Sequence, residues 1–247
     1  VRAVSSRIAD AELTFLDRVP IDVERARAQH LAYVKTLRDL GLDVLQAPVA
    51  DDHPDGVFVE DAVVVVDDLA VLTTPGAASR RAEPATLVAL LRGAGLELVA
   101  IGDAGTLDGG DVLQVGRTVY VGRTHRTDDG GIRRLAELLR TRGRDVVPVD
   151  VTGALHLKTS ATALPDGTIL AVPEWLDVTA FGDREVVAVP EPAGADVLLV
   201  GDTVVLSSSA PRTAALIAER GWTVRTVEID EFEKAEAGPT CLSVLLA

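Results

Sequence analysis

The fold that this sequence predicts is α/β: a five-bladed α/β-propeller of ββαβ units with pseudo-fivefold symmetry. Three observations predict it. Pairs of β-rich segments are joined by turns too short for anything but hairpins. Each pair is followed by a segment of helical periodicity that stops at glycine. The pattern then returns, giving five units of about 50 residues each along the 247-residue chain. A doubly wound parallel sheet is the competing architecture, but parallel strands need long crossovers rather than two-residue turns.

The N-terminal unit reads as a helix over Asp22–Leu40 and a closing strand over Leu42–Ala47, with Leu242–Leu246 from the far end as its missing hairpin strand. In the second unit Ala62–Val66 and Ala70–Thr73 flank Asp67-Asp68. A helix over Ala82–Arg92 then stops at Gly93 and Gly95, ahead of a strand at Leu96–Ile101. In the third, Val112–Val115 and Val119–Val121 flank Gly116-Arg117. Ile132, Leu135, Leu138 and Leu139 give Gly131–Arg142 a helical stripe, Gly143 ends it, and Asp145–Val149 follows as a strand. The fourth pairs Ser160–Leu164 with Thr168–Val172 around Asp166-Gly167, and its Glu174–Gly182 segment is too short for a good helix. The fifth pairs Val197–Val200 with Val204–Ser207 around Gly201-Asp202, then runs through a helix at Arg212–Arg220 to a strand at Thr223–Ile229. No linker divides the chain, so residues 1–247 are expected to form a single domain.

Composition narrows the functional classes. Hydrophobic residues make up 47% of the chain, enough for one sizeable core. No apolar run approaches the roughly 18 residues of a membrane span. Val1–Ile8 lacks the apolar region of a signal peptide, although a chain that begins without methionine leaves a removed leader open. One cysteine precludes an internal disulfide and a paired-cysteine zinc site, and fits a cytoplasmic setting. A net charge of −14 disfavours nucleic acid and anionic membranes as partners. An acidic cleft would draw in a small cation, and a merely solubilising surface would carry the same charge.

Several residues stand out. Cys241 follows a Gly-Pro turn at the expected head of a strand; a lone cysteine is more often a small buried hydrophobe than a nucleophile. His156 sits at the head of another expected strand, where a hydrogen-bonded core histidine is the usual reading. Asp108 and Asp111 flank a Gly-Gly pair that permits close backbone approach or closes a turn. Asp55, Glu60 and Asp61 lie beside an apolar run, and in a strand Asp55 and Asp61 would share a face. Such acids call for a cationic partner or an exposed hairpin end. Arg80 and Arg126 lie on loops, suited to a carboxylate or merely solvated. No phosphate loop and no cluster of metal ligands is apparent.

Taken together, Asp55–Asp61, Pro75–Arg81, Thr106–Val112, Gly122–Thr127, Leu155–Thr159 and Ala237–Val244 resemble, in order, segments of the dimethylarginine dimethylaminohydrolases of the guanidine-modifying (pentein) superfamily, which are five-bladed α/β-propellers. The resemblance implies hydrolysis of N-methylated arginine to citrulline and a methylamine. It implies Cys241 as nucleophile, His156 as general acid/base and Asp108 as the acid that orients it. Glu60 and Asp61 would hold the guanidinium, Arg80 and Arg126 the α-carboxylate, Asp55 the α-amino group, and the Ala235 carbonyl would add a contact. Leu13 matches the leucine of a mobile lid. The segment Ser5–Pro20 departs from the family's lid, and Ala235 and Glu236 replace a bulkier aliphatic residue and an aspartate, which opens the question of the guanidine substituent. No metal or organic cofactor is implied; the expected partner is a small cationic amino acid, and a homodimer through strand edges stays open. Arginine deiminase chemistry and a non-catalytic propeller that binds arginine derivatives are the competing readings.

Overall fold

The computed structural model describes residues 1–246; Ala247, the last residue of the expected domain, lies outside them. Four three-stranded sheets form, each an antiparallel hairpin followed by a parallel strand. They are β1 (Val63–Val66), β2 (Leu69–Leu72) and β3 (Glu97–Ala100); β4 (Val112–Val115), β5 (Thr118–Arg123) and β6 (Asp145–Asp150); β7 (Ala161–Ala163), β8 (Ile169–Ala171) and β9 (Val186–Ala188); and β10 (Val197–Val200), β11 (Thr203–Ser207) and β12 (Thr223–Val227). Three hairpins close through two residues, the first of which takes the left-handed conformation that such turns require: Asp67 at φ 55°, Gly116 at 61° and Gly201 at 56°.

Helices supply the crossovers. The helices α1 (Val23–Asp39) and α3 (Asp129–Arg140) begin at Asp22 and Asp128, whose carboxylates accept the Arg25 and Gly131 N–H groups at 3.0 and 2.9 Å, satisfying donors that a helix start leaves open. Between them, α2 (Val88–Gly93) is shorter than the expected Ala82–Arg92, because the chain first makes a 3₁₀ turn over Pro84–Leu87. The remaining helices are α4 (Leu157–Ser160), α5 (Pro211–Glu219) and α6 (Asp230–Glu233). The fourth unit crosses over through two 3₁₀ turns, Pro173–Trp175 and Val178–Phe181, in keeping with a segment too short for a good helix.

The N-terminal unit departs from expectation. Neither Leu42–Ala47 nor Leu242–Leu246 is a strand. Ala47 makes a single parallel bridge with Arg2, its N–H donating to the Val1 carbonyl at 2.9 Å. The chain start therefore occupies the edge that the C-terminal segment was expected to fill. The C-terminal segment is tied to α1 instead: the Tyr33 hydroxyl donates to the Pro239 carbonyl at 2.8 Å and meets the Ser243 hydroxyl at 2.7 Å.

Apolar side chains form clusters between consecutive units. Val64 and Val71 pack with Val121 and Leu135; Leu113 and Tyr120 pack with Ala161 and Phe181; Leu170 packs with Val204 and Ile217. Val205 packs with Tyr33 and Leu37 of α1, and Ala47 packs with Val63 and Leu91. A short helical turn precedes the first strand of each sheet: Val59–Ala62, Gly109–Asp111, α4 and Pro192–Ala195, with Thr240–Leu242 as the counterpart in the C-terminal segment. No helix among the described residues is long and apolar enough to cross a membrane.

Candidate active site

Those turns carry the reactive side chains, which corrects three local expectations. Asp55–Asp61 is not a strand: the Phe58 N–H donates to the Asp55 carbonyl (2.9 Å) and the chain coils into the turn that bears Glu60 and Asp61. His156 does not head a strand but stands at the N-cap of α4. Cys241 lies within the 3₁₀ turn Thr240–Leu242. For the first two the strand begins one turn later, at Val63 and Ala161, whereas none follows Cys241 among the described residues; hydrogen bonds between turns override the local strand preference.

A relay of acids fixes these turns. Asp61 Oδ1 accepts the Gly110 N–H at 3.0 Å, Asp111 Oδ1 accepts the Leu157 N–H at 2.9 Å, and Asp196 Oδ1 accepts the Thr240 N–H at 3.1 Å. An acid near the end of one turn thus holds the turn of the following unit. The glycine pair at 109–110 is required by close approach: a Cβ on Gly109 would collide with the Glu60 carbonyl, and one on Gly110 would lie 2.6 Å from His156 Nδ1.

One small cavity is lined by Glu12, Asp55, Asp61, Arg80, Arg126, Leu155, His156, Ala235 and Cys241, with Phe58, Glu236 and Ala237 completing it. His156 Nε2 lies 3.0 Å from Asp108 Oδ2, and Nδ1 lies 3.7 Å from Asp61 Oδ1. Asp108 is itself held by the Gly76 N–H (2.8 Å) on Oδ1 and, through its own N–H, by Thr127 Oγ1 (3.0 Å). Burial pushes the His156 pKa down, but Asp61, the Asp108 hydrogen bond and Asp111 outweigh it and raise it to about 9. His156 is therefore an imidazolium at neutral pH, a proton donor in waiting. Burial pushes Asp61 up, yet His156, Arg80 and Arg126 hold it at about 2. Asp61, Asp108 and His156 bring one donor atom each within 4.8 Å of one another; with two guanidinium groups adjoining, the trio is balanced as an ion network.

The expected arginines differ. Arg80 is almost fully engaged: Nε and Nη2 grip the Glu83 carboxylate at 3.0 and 2.8 Å, Nη1 bonds Asp61 at 2.6 Å, and Nη2 also reaches the Phe58 carbonyl at 3.2 Å. One Nη1 hydrogen stays uncommitted. Arg126 lines the cavity and is buried; its Nη1 has no hydrogen-bond partner among the described residues and lies 3.8 Å from Asp108 Oδ2, while Nη2 reaches the Thr14 hydroxyl at 3.4 Å. Glu60 is committed to Lys158 Nζ (2.5 Å) and to the Thr240 hydroxyl (2.9 Å). Both Asp55 oxygens accept the Glu12 N–H, at 3.1 and 3.2 Å. Leu13 is half-buried between Glu12 and Thr14, and it is Glu12 that reaches the cavity lining. Cys241 is buried; burial pushes its thiol up, and Asp196, Glu60 and Asp61 push it further.

Sequence reading missed Glu83, Lys158, Asp196 and the part that Glu236 plays. Glu83 had a signal, lying three residues after Arg80. Glu236 accepts the backbone N–H groups of Thr14 (3.0 Å), Phe15 and Leu16 (2.6 Å), latching the segment 12–16 over the cavity.

Residues 16–187 match the family model described as N,N dimethylarginine dimethylhydrolase, eukaryotic. The N(G),N(G)-dimethylarginine dimethylaminohydrolase of Streptomyces coelicolor is 44% identical over 100% of this chain and 95% of that protein. Two solved structures superpose closely, each 30% identical and covering 98% of this chain. One is a dimethylarginine dimethylaminohydrolase adduct with S-methyl-L-thiocitrulline, at a TM-score of 0.92 and covering 96% of that chain. The other is a Pseudomonas aeruginosa dimethylarginine dimethylaminohydrolase mutant complexed with citrulline, at 0.91 and covering 95%.

Proposed function

Because the chain belongs to the dimethylarginine dimethylaminohydrolase family, we propose that it hydrolyses N-methylated arginine to citrulline and a methylamine through a covalent intermediate on Cys241. The observation that carries this reading is the convergence of Cys241, His156 and Asp61 on one cavity whose imidazole is held by Asp108 at 3.0 Å. Free cysteine is a weak nucleophile until ionised, and this thiol is held neutral by burial among acids. A bound guanidinium places positive charge beside sulfur and reverses that field, so the thiol releases its proton to solvent when substrate is present. The thiolate attacks the guanidino carbon and the C–N bond to the methylamine breaks, with the departing nitrogen taking its proton from His156. The neutral imidazole then accepts a proton from water, which attacks the S-alkylthiouronium carbon. Citrulline leaves and the thiol re-forms. Asp61 aligns the guanidinium, Glu60 adds negative charge behind it, Asp108 orients His156, and Arg126 takes the α-carboxylate with Arg80 contributing its free hydrogen. Asp55 takes the α-amino group, the Ala235 carbonyl adds a contact, and Leu13 belongs to the lid.

The same reading takes residues 1–247 as a single catalytic domain with five blades, the N-terminal unit counting as the fifth. It is supported by apolar clusters between each consecutive pair of units, closing from the last unit onto α1 and from Ala47 onto the second. A free thiol supports a reducing, cytoplasmic setting. Citrulline formation from dimethylarginine, monomethylarginine and arginine as rival substrates tests the activity. Cys241→Ser should abolish turnover while substrate still binds; citrulline from none of the three, or unimpaired turnover by the variant, would refute the assignment.

A further inference from the structure

Asp196 is a buried carboxylate that the reaction above leaves unused, yet it touches the turn that bears the nucleophile. It precedes β10 as Asp111 precedes β4, and its Oδ1 accepts the Thr240 N–H at 3.1 Å. Its other oxygen lies 3.3 Å from Thr240 Oγ1, which in turn lies 2.9 Å from Glu60 Oε2. Gly238 packs against the same carboxylate so closely that a Cβ there would collide with it.

The Thr240 hydroxyl has one proton and faces two carboxylate oxygens, so it can donate to only one of them. Glu60 is ion-paired with Lys158 at 2.5 Å and is the better-placed acceptor. The contact between Thr240 and Asp196 then needs a proton from Asp196, and no cation pairs with Asp196 among the described residues. We propose that Asp196 is a positioning residue for the nucleophile, carrying a proton that it donates to Thr240 in the free protein, and that loss of this proton makes Cys241 harder to ionise. The proposal rests on the reading of Cys241 as the nucleophile.

The surroundings agree. Burial and the neighbouring Glu60 charge raise the Asp196 pKa to about 7, so its proton is exchanged near neutrality. Asp196 also lines a separate cavity of about 440 Å³ that reaches the half-exposed Phe15 and Leu16, a route to bulk solvent. Charged groups face Asp196 from each side: Glu60 and Lys158 from their turns, Cys241 beyond Thr240, and Glu233 and Glu236 across the cavity. Glu233 is held by Ser207 and Ser209, and Glu236 by three backbone N–H groups.

Asp196→Asn mimics the protonated acid, since its amide both accepts from the Thr240 N–H and donates to the hydroxyl. Cys241 is the only cysteine, so alkylation by iodoacetamide reads one site and needs no turnover. The apparent thiol pKa should fall in D196N by on the order of one unit, with alkylation faster by about tenfold at pH well above the Asp196 pKa of about 7 and little changed below it, where the native side chain already carries its proton. Coincident pH profiles, or a shift upward, would overturn the proposal whether or not citrulline is formed. Carbon-13 titration of the aspartate carboxyls in the unaltered protein provides a second reading. One aspartate should titrate near neutrality, above Asp55 and Asp111, and move when Cys241 is alkylated; no aspartate behaving so overturns the proposal even if D196N does not fold.

Discussion

Removing the Glu236 carboxylate should open the segment 12–16. Three backbone N–H groups, from Thr14, Phe15 and Leu16, converge on that carboxylate. Hydrogen bonds to a charged group contribute about 1.5–3 kcal/mol each when water is excluded. Here Phe15 and Leu16 are 43% and 51% exposed, so water replaces much of each bond on opening, and about 1 kcal/mol apiece is the appropriate scale. The sum, about 3 kcal/mol, corresponds to a shift of roughly 100-fold in the closed-to-open ratio. Glu236→Ala therefore tests the latch directly. Glu236 sits at φ 60°, and alanine inherits that backbone cost, so the variant isolates the side chain. Glu236→Gln keeps an acceptor oxygen without the charge and should shift the ratio by about tenfold. Arg18 lies just beyond the latched residues and donates to the Ala9 and Ala11 carbonyls at 2.6 and 2.7 Å. Tryptic cleavage after Arg18 reports the open population when reclosure is fast. It should accelerate about 100-fold in E236A and about tenfold in E236Q, with KM rising in the same order. Cleavage and KM unchanged in E236A would show that the segment is held by Asp55 and apolar contact alone, and the latch argument would fail.

The two arginines should separate by their effects. Arg126→Lys removes a buried donor that makes no hydrogen bond among the described residues, so KM should rise by about 10- to 100-fold with kcat little changed. Arg80→Lys instead dismantles the clamp on Glu83 and Asp61 and should lower the melting temperature; equal thermal stability of the two variants would contradict this division. The His156 pKa is raised from 6.5 to about 9, so its contribution is fully present below pH 6.5 and is lost as pH rises through 9. It amounts to about 3 kcal/mol at most. The melting temperature of the native chain relative to His156→Asn should decline between pH 7 and 9, and parallel curves for the two would refute the raised pKa.

How much of this was legible in the sequence follows from the range of the forces involved. Hairpins and helices are local: Asp67, Gly116 and Gly201 announce their turns, and Leu135 and Leu139 announce a helix face, so four hairpins appear where β-rich segments and short turns placed them, while β9 of the fourth unit was not foreseen. The N-terminal unit was misread because its edge is decided between segments more than 40 residues apart, and Val1 and Arg2 outcompete the apolar C-terminal run for Ala47. The site was legible only in part for the same reason. Cys241, His156, Asp108, Asp61 and Arg126 could be named from motifs, and the cavity gathers four of them while Asp108 stands behind His156. What motifs did not give is commitment: which charges are already satisfied. Arg80 and Arg126 look alike in sequence, yet one is gripped by Glu83 and the other has an orphan nitrogen. Asp196 is harder still, since Ala-Asp-Val at the start of an apolar strand reads as a surface acid. Its meaning comes from position in the ring: the place taken by Asp61 and Asp111 in their own units, holding the next turn by its N–H. The fold repeats this local device in three of its units and gives each copy different surroundings. Asp61 anchors the glycine turn before β4 and pairs with Arg80, Asp111 anchors the turn after His156, and Asp196 anchors the turn that bears Cys241. Once the first two are seen to be electrostatic as well as structural, the third has no reason to be structural alone.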